Sequence, residues 1–491
     1  METEPPKTPT PAPPSVLVID RIAKLINDHP FPAVPLRPLL LDHLLPLLLP
    51  HSPSSPLHLS SLFYRLFSGH TLPHKSLEIF RFSLIHSPSS LSPSSLTLLL
   101  NSLSRSPRRL LFPSSAFLLL DLTRRALPSL LSTAALTALL SPLARRSTDP
   151  FASTLSAFSR AELIWSAAGR PPFGAAELTA VLRAFCACSR IADARAAFRL
   201  LYSRLPPDSR SFNTLLLGFR EAGNLPALEF FYQELLLRRF QPDIVTYNIR
   251  IDAYCKKNRF FEALQLLADM EGRSISPSVR TITTLIHGAG IAREPFLARQ
   301  LFDEMPKRGI SPDRGSYNAL MNAVVRAGDM KAGLEVLDEM ELKGIEVDDV
   351  SYYTMLCGYR TSTDFDGVLR IYRRMIAKGF VPRTRTVMFL MKFFREKSRL
   401  DLGLELWNYL MGKGCCPHRH ALDILTKGLY FSGQVAEVYE CFKQLLERGR
   451  LPSHRGIQLL EQFLVKAQDE EKLQVFGEMI SRLKTLVPSA S

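Results

Sequence analysis

Short polar residues recur at two positions in the second half of the chain, and this pair of positions returns about every 35 residues. The first position holds threonine or asparagine, at Thr179, Asn213, Asn248, Thr283 and Asn318. The second holds aspartate or serine, at Asp208, Asp243, Ser278, Asp313 and Asp348. These side chains donate and accept hydrogen bonds, but their spacing matches no nucleophile–base arrangement and no metal-ligand cluster. The pattern therefore predicts a row of hydrogen-bonding groups rather than a catalytic centre.

Helix capping is the alternative explanation for the same residues. Asn and Thr at a helix start, and Asp directly after a proline, are all favoured N-caps. Capping alone would accept Ser, Thr, Asp and Asn interchangeably at either position. The five pairs instead show only Thr or Asn combined with Asp or Ser. The set therefore favours a second role, although capping remains open for any single residue.

Prolines and glycines indicate the elements that must position these side chains. The prolines that share one 35-residue spacing are Pro242, Pro277, Pro312, Pro382, Pro417 and Pro452, with Val347 at the one interrupted position. The glycines three residues before the proline position are Gly309, Gly344, Gly379, Gly414 and Gly449. Glycine favours the left-handed conformation that ends a helix, and proline prevents the helix from continuing. The chain is therefore predicted to be an array of one repeated unit.

The repeat 244–278 shows the predicted local structure. Apolar spacing predicts a first helix over Val245–Lys256 and a second over Phe261–Glu271, with Ser274 at the helix-ending position. One helix pair cannot bury its own apolar face, so neighbouring pairs must stack on it. This predicts an all-α solenoid of helix-turn-helix repeats of 35 residues.

Four segments follow from this pattern. Residues 1–30 are predicted to be a disordered or targeting segment, with a helix over Ser15–Asn27, and residues 31–174 to be helical hairpins with a degenerate pattern. In 31–174, helices are predicted at Leu57–Ser68, Lys75–Ile85, Ser94–Ser104 and Ser114–Arg125. Residues 175–488 form nine repeats, and residues 489–491 a tail. The repeats start at Ala175, Ser209, Ile244, Val279, Arg314, Asp349, Thr384, Arg419 and His454.

Composition excludes several classes of protein. The chain has 61 Lys and Arg against 46 Asp and Glu, a net charge of +15, which favours a polyanionic partner or simply supports solubility. Seven cysteines without paired CxxC elements predict free thiols and no metal site. The Leu-rich stretch 39–49 is interrupted by Asp42, His43 and Pro46, so no membrane span is predicted.

The repeat resembles the pentatricopeptide repeat. The resemblance rests on Val245-Thr246-Tyr247-Asn248, Tyr254-Cys255-Lys256, Glu262-Ala263-Leu264, Leu301-Phe302-Asp303-Glu304-Met305 and Gly309-Ile310-Ser311-Pro312-Asp313. It covers nearly two thirds of the chain and implies a right-handed superhelix of the repeat-only P class, of the plant organellar type. The 34-residue tetratricopeptide repeat is the nearest alternative, but its Trp…Leu-Gly…Tyr signature is absent.

The resemblance implies that single-stranded RNA is bound with one base per repeat. In the family, the fifth residue and the last residue of a repeat, here called the closing residue, recognise the base edge. The ten residues introduced first occupy these positions in the first five repeats. By the family's code they specify 5′-GUCGU-3′. The pairs that match no reliable code are Tyr353 with Arg383, Met388 with His418, Asp423 with Ser453 and Gln458 with Pro488.

Two further sets of contacts are implied by the family. The second residue of a repeat stacks between bases, which assigns this role to Val245, Val350, Arg210 and Arg280. Basic residues near the end of the first helix contact phosphates, which assigns that role to Arg220, Lys256, Arg326, Arg360 and Arg395. A solvated helix face is the alternative for the basic residues.

The expected function is sequence-specific binding of single-stranded organellar RNA in processing, stabilisation, splicing or translation. No cofactor is expected, and the deaminase and nuclease signatures of other family branches are absent, so the chain is not expected to be an enzyme. The protein is expected to be a monomer that acts with other RNA-processing factors. A mitochondrial transit peptide is expected, with the chloroplast as alternative, because residues 50–148 are rich in Ser and Arg and poor in acidic residues. The alternative function is a helical-repeat scaffold that binds a protein.

Overall fold

The computed structural model describes residues 14–48, 57–68, 71–105, 112–431 and 434–486. Within these ranges the regular structure is helical and no residue belongs to a strand, so the all-α class is confirmed. The chain divides into an N-terminal part, residues 1–277, and a C-terminal part, residues 278–491. Three parts of the sequence predictions lie outside the described residues: residues 1–13 of the N-terminal segment, the closing residue Pro488 and the tail 489–491.

The N-terminal part begins with seven helices of irregular spacing. They are α1 Pro14–Asp28, α2 Leu57–Ser68, α3 Pro73–His86, α4 Pro93–Ser104, α5 Phe112–Ala126, α6 Thr133–Arg146 and α7 Pro150–Ala167. Short helical segments lie between them, at Arg37–Leu39, Leu40–Leu44, Leu45–Leu48, Pro88–Ser90 and Pro128–Leu130. The four helices predicted within residues 57–125 are confirmed to within two residues.

Helix α1, which the sequence predicted over Ser15–Asn27, belongs to the folded structure. Ile19, Ile22 and Ile26 of α1 are buried in the core of the N-terminal part. Lys75 donates from Nζ to the carbonyl oxygens of Ile26 and Asn27 at 2.9 and 2.7 Å, and so satisfies the C-terminal carbonyls of α1. The helix predicted over Ser15–Asn27 is therefore confirmed to within one residue at each end, and an apolar helix face and a buried lysine hold it in place.

Regular repeats follow from Ala175. In the N-terminal part their helices are α8 Ala175–Cys186, α9 Ile191–Leu201, α10 Ser209–Glu221, α11 Leu225–Leu237, α12 Ile244–Lys256 and α13 Phe260–Gly272. In the C-terminal part they are α14 Val279–Ile291, α15 Pro295–Lys307, α16 Arg314–Arg326, α17 Met330–Leu342, α18 Asp349–Thr361, α19 Phe365–Ala377, α20 Thr384–Glu396, α21 Leu400–Gly412, α22 Arg419–Phe431, α23 Val435–Glu447, α24 His454–Lys466 and α25 Glu470–Leu486. Each of the nine predicted repeat starts is the first residue of a helix.

First helices stack on first helices within each part. In the N-terminal part the row runs through α1, α2, α4, α6, α8, α10 and α12, so the irregular helices and the regular repeats belong to one stack. In the C-terminal part α14 contacts α16, α16 contacts α18, α20 contacts α22 and α22 contacts α24. Each first helix thus presents the same residue positions beside those of its neighbour, which is what places the candidate site.

Local sequence explains why each hairpin closes. In α12 and α13, Tyr247, Ile251, Leu267 and Met270 are buried, and Ala263 allows the two helices to approach. Ser274 has φ +59°, the left-handed conformation that most repeats adopt with glycine at this position. Helix-ending glycines and the prolines after them therefore set the length of the repeat.

Three negative observations hold for the described part of the chain. None of its helices is long and apolar enough to cross a membrane. No three His, Cys, Asp or Glu side chains converge as metal ligands there. All seven cysteines are free thiols.

Candidate functional site

The closing residues are N-caps of the following repeat. Oδ1 of Asp208, Asp243, Asp313 and Asp348 accepts a hydrogen bond from the backbone N–H of the third residue of the next repeat, at 2.8, 2.8, 2.8 and 3.0 Å. Ser278 accepts the equivalent bond from Thr281 at 3.3 Å. The capping interpretation is therefore correct for one oxygen of each closing residue, while the second aspartate oxygen is not needed for the cap.

The fifth residues are not N-caps, because each lies inside a first helix. Asn213 donates from Nδ2 to Oδ1 and Oδ2 of Asp243 at 3.1 and 3.3 Å. Asn318 donates from Nδ2 to Oδ1 of Asp348 at 3.2 Å. The fifth and closing residues of these two repeats, predicted as pairs from the sequence, are thus in direct contact.

The threonine repeats connect the same two positions through a serine. Thr179 Oγ1 lies 2.9 Å from Ser211 Oγ, which donates to Asp208 Oδ1 at 2.9 Å. The same arrangement recurs in the C-terminal part. Thr283 Oγ1 lies 2.8 Å from Ser316 Oγ, which donates to Asp313 Oδ1 at 2.9 Å.

Asn248 is half-buried on α12, and Ser278 is half-buried where it caps α14. They belong to different parts of the chain. Asn248 occupies the fifth position of the repeat 244–278, and Ser278 occupies its closing position.

Sequence reasoning missed the third residue of each repeat. The hydroxyl residues there are Ser211, Thr246, Thr281, Ser316 and Ser351, and all five are completely buried. Thr246 donates to Asn213 Oδ1 at 2.8 Å, and Ser351 donates to Asn318 Oδ1 at 2.6 Å. Their 35-residue spacing was visible in the sequence, but a helix start explains Ser and Thr equally well.

Hydrogen bonding keeps the closing carboxylate ionised in the best-connected repeat. Burial raises the pKa of Asp348, but the backbone N–H of Ser351, the Asn318 amide and the Ser351 hydroxyl lower it more, so the net pKa is below the ordinary value. A negative charge is therefore present at this position near neutral pH.

The predicted stacking residues are accessible. Val245 and Val350 are 49% and 54% exposed, and Arg210 and Arg280 are also exposed. An exposed valine beside a row of hydrogen-bonding groups provides an apolar surface for a flat ring.

The predicted phosphate-binding residues fall into two groups. Arg220 is only 14% exposed and pairs with Glu221 and, at 2.9 Å, with Asp252. Lys256 pairs with Asp252 at 3.0 Å and Arg360 with Glu396 at 3.2 Å. Arg326 and Arg395 are exposed at the ends of α16 and α20. The second group is better placed to bind an anion.

Repeats from Asp349 onward depart from this arrangement. The guanidinium of Arg385 lies 3.9 Å from the centre of the Tyr353 ring, and that ring packs edge-on against Phe389 at 5.6 Å. In a later repeat, Ser453 donates directly to Asp423 at 2.6 Å. These repeats lack the amide–carboxylate pair.

Family models match the central repeats. The model described as PPR repeat family matches residues 242–290 and 314–361, and the model described as PPR repeat matches residues 280–310 and 350–380. The matched residues include helices α12 to α19.

Curated relatives come from Arabidopsis thaliana. Pentatricopeptide repeat-containing protein At3g61360 is 40% identical over 275 residues, which are 56% of this chain and 52% of that protein. Putative pentatricopeptide repeat-containing protein At1g02420 is 35% identical over 95 residues, 19% of each protein. The chain thus spans about half the length of the first relative and about a fifth of the second.

Solved structures of similar helical proteins show low identity. The pentatricopeptide repeat protein PPR10, in complex with an 18-nt psaJ RNA element, is 17% identical with a TM-score of 0.36, covering 96% of this chain and 79% of that one. Yeast Rmd9p, in complex with a 16-nt target RNA, is 13% identical with a TM-score of 0.34, covering 97% of each.

The family models and the named relatives agree with the residues that carried the resemblance in the sequence. Residues 242–310 and 314–380 therefore consist of pentatricopeptide repeats, and the chain is similar to pentatricopeptide repeat-containing proteins.

Proposed function

We propose that the chain binds single-stranded RNA and recognises one base in each of five repeats through the fifth and closing residues. The observation that carries this proposal is the amide–carboxylate pair, which recurs at Asn213–Asp243 and Asn318–Asp348 with Nδ2–Oδ1 distances of 3.1 and 3.2 Å. The matches of residues 242–310 and 314–380 to pentatricopeptide repeat models support RNA as the partner. The net charge of +15 suits a polyanion.

The pair retains hydrogen-bonding capacity after its internal bonds are made. An amide has two N–H donors and two acceptor lone pairs, and Asn213 uses one of each on Asp243 and Thr246. The remaining donor, the remaining acceptor and the second carboxylate oxygen of Asp243 can meet the edge of a base. Bases differ in the placement of donors and acceptors, so these groups can distinguish them.

The proposed target contains 5′-GUCGU-3′, from the pairs Thr179–Asp208, Asn213–Asp243, Asn248–Ser278, Thr283–Asp313 and Asn318–Asp348. Titration of the protein against a ten-nucleotide RNA with this core, and against a scrambled RNA of the same composition, tests it. Tighter binding to the core is expected. Equal binding to both RNAs contradicts base recognition.

Exchange of Asn248 for threonine tests the code at one position. The family's code assigns C to Asn with Ser and A to Thr with Ser, so Asn248→Thr should change the preferred third base from C to A. Asn322→Thr, the same chemical change outside the fifth position, is the control and should leave all preferences unchanged. An unaltered preference for C in Asn248→Thr would contradict the assignment.

Protein binding along the same repeats is the competing function. Affinity purification of the tagged protein, followed by ribonuclease treatment, separates the two. Partners that survive digestion, without an enriched RNA footprint, would favour the scaffold.

We further propose that the protein is of the repeat-only P class and acts on mitochondrial, or alternatively chloroplast, transcripts in processing, stabilisation, splicing or translation. The composition of residues 50–148 supports organellar import. A fluorescent reporter fused to residues 1–60 should enter the organelle. Retention of this fusion in the cytosol would contradict the localisation.

A further inference from the structure

We infer that the buried hydroxyl at the third position of a repeat positions the base-recognition pair of the preceding repeat. Recognition of one base would then need three side chains from two consecutive repeats. The inference rests on the proposed RNA binding and assigns a role to residues outside the fifth, closing and second positions.

In the asparagine repeats the hydroxyl fixes which way the amide faces. Thr246 Oγ1 lies 2.8 Å from Asn213 Oδ1, while Asn213 Nδ2 lies 3.1 Å from Asp243 Oδ1. The reversed amide would place its oxygen against the carboxylate and lose that bond, and the Thr246 hydroxyl would then have to give its hydrogen to Asp243 Oδ1, which also lies 2.8 Å away. Ser351 holds Asn318 in the same orientation, at 2.6 Å. The carboxylate and the hydroxyl together therefore determine where the free N–H donor and the free acceptor of the amide lie.

In the threonine repeats the hydroxyl connects the two recognition residues. Ser211 Oγ lies 2.9 Å from both Asp208 Oδ1 and Thr179 Oγ1, and Thr179 Oγ1 also lies 2.8 Å from Ala175 O, to which it can donate. Ser316 makes the same connection between Thr283 and Asp313. The hydroxyl of the next repeat thus links the fifth residue to the closing residue.

The later repeats provide an internal comparison. Thr386 lies in the third position after the Tyr353–Arg383 pair, and its buried Oγ1 has no hydrogen-bond partner in the described structure. Ala421 and Gly456 occupy the third position where the preceding fifth residues are Met388 and Asp423. A Cβ at Gly456 would lie 2.9 Å from Asp423 Oδ1.

The third residue therefore follows the preceding fifth residue in all but one of these repeats. A hydroxyl follows each Asn or Thr, and Ala or Gly follows Met388 and Asp423; the exception is Thr386 after Tyr353, whose hydroxyl is unbonded in the described structure. Capping alone does not explain this, because the closing Ser453 caps its helix by accepting from Gly456 N at 2.9 Å without any third-position hydroxyl.

Thr246→Val tests the inference, since valine keeps the shape of threonine and removes the hydroxyl. Thr246→Ser keeps a hydroxyl at this position. Thr214→Val is the control: it removes a threonine hydroxyl of the N-terminal part that bonds only within its own helix, to Arg210 O at 2.7 Å. Equilibrium binding is measured with four RNAs that differ only in the second base of GUCGU, the base assigned to Asn213 and Asp243.

Wild type, Thr246→Ser and Thr214→Val should prefer U at the second base. Thr246→Val should lose about 3- to 10-fold of that discrimination, as expected for one hydrogen bond, and keep its preferences at the other four bases. Ser351→Ala, tested at the fifth base, gives an independent measurement if Thr246→Val does not fold. Full discrimination in the hydroxyl-free variants would overturn the inference alone, whereas a wild type without preference for U would overturn the proposed function with it.

Discussion

Arg250 shows at the residue scale how one repeat departs from its neighbours. The seventh position of a repeat holds an apolar residue elsewhere, as at Leu215, Leu285, Leu320, Met355, Leu390, Leu425 and Leu460. Arg250 is only 5% exposed, and its Nε and Nη2 donate to the two carboxylate oxygens of Glu229 at 2.9 and 2.8 Å. Its guanidinium also lies 3.8 Å from the centre of the Tyr232 ring. A charge that is buried this deeply depends on its partner.

Removal of Glu229 should therefore cost more stability than an exposed ion pair does. We expect Glu229→Ala to lower the free energy of unfolding by about 2–3 kcal/mol, less than for a fully buried pair because the Glu229 side chain keeps 21% of its exposure. Urea denaturation measures this loss as a lower urea concentration at the midpoint of the first unfolding transition.

The matched control for this prediction replaces both partners. Arg250→Leu combined with Glu229→Met restores the apolar seventh position and should recover most of the lost stability. A double variant as unstable as Glu229→Ala would show that the loss comes from packing and not from an unpaired charge.

At the scale of the element, the sequence predicted the regular helices because the residues that end them are regular. Glycine or serine at the left-handed position, followed by proline, precedes most of the repeat starts, with Arg239 in place of glycine before Ile244 and Val347 in place of proline before Asp349. The register of residues 31–174 could not be predicted in this way. First helices there begin at 57, 93, 133 and 175, spacings of 36, 40 and 42 residues, and no fixed period describes them.

The candidate site was predictable in its positions but not in its connections. The fifth and closing residues were identified from the resemblance, and the asparagine pairs are in contact. The third-position hydroxyls were not identified, because only the stacking of two repeats shows which side chain reaches Asn213 or Asn318. Arg250 and Glu229 were missed for the same reason, since they come from different repeats.

The repeat 349–383 should accept a new base preference. Thr386 already supplies a buried hydroxyl without a partner, so Tyr353→Asn combined with Arg383→Asp would complete the amide–carboxylate–hydroxyl arrangement. By the family's code this variant should prefer 5′-GUCGUU-3′ over 5′-GUCGUA-3′ by about 3- to 10-fold, as for one or two hydrogen bonds. Equilibrium binding to the two RNAs measures the preference.

Addition of Thr386→Val to this double variant is its control. Valine removes the hydroxyl that would orient the new amide, so the gained preference should disappear while affinity for GUCGU stays the same. Wild type should not distinguish the two sixth bases. A gain that persists with Val at position 386 would show that the pair alone is sufficient.

At the scale of the whole molecule, the net charge of +15 does not measure the charge available to RNA. Several basic residues form ion pairs within the protein, among them Arg220 with Asp252 and Arg360 with Glu396. Arg326 is exposed at the end of the first helix of its repeat. RNA releases counterions only where a basic side chain neutralises a phosphate. The salt dependence of binding should therefore report the number of phosphate contacts and not the net charge of the protein.

Arg326→Ala and Lys331→Ala distinguish an effect of phosphate contacts from an effect of net charge. Each variant removes one positive charge, but only Arg326 is proposed to contact a phosphate. Lys331 is 90% exposed at the start of the second helix of the same repeat. For single-stranded RNA the slope of log affinity against log salt is about −0.7 per phosphate contact, so Arg326→Ala should reduce its magnitude by about 0.7 and Lys331→Ala should leave it unchanged. Binding measured across a range of salt concentrations gives both slopes. Equal reductions in the two variants would mean that the overall field of the protein, and not a phosphate contact at the end of the first helix, sets the electrostatic contribution.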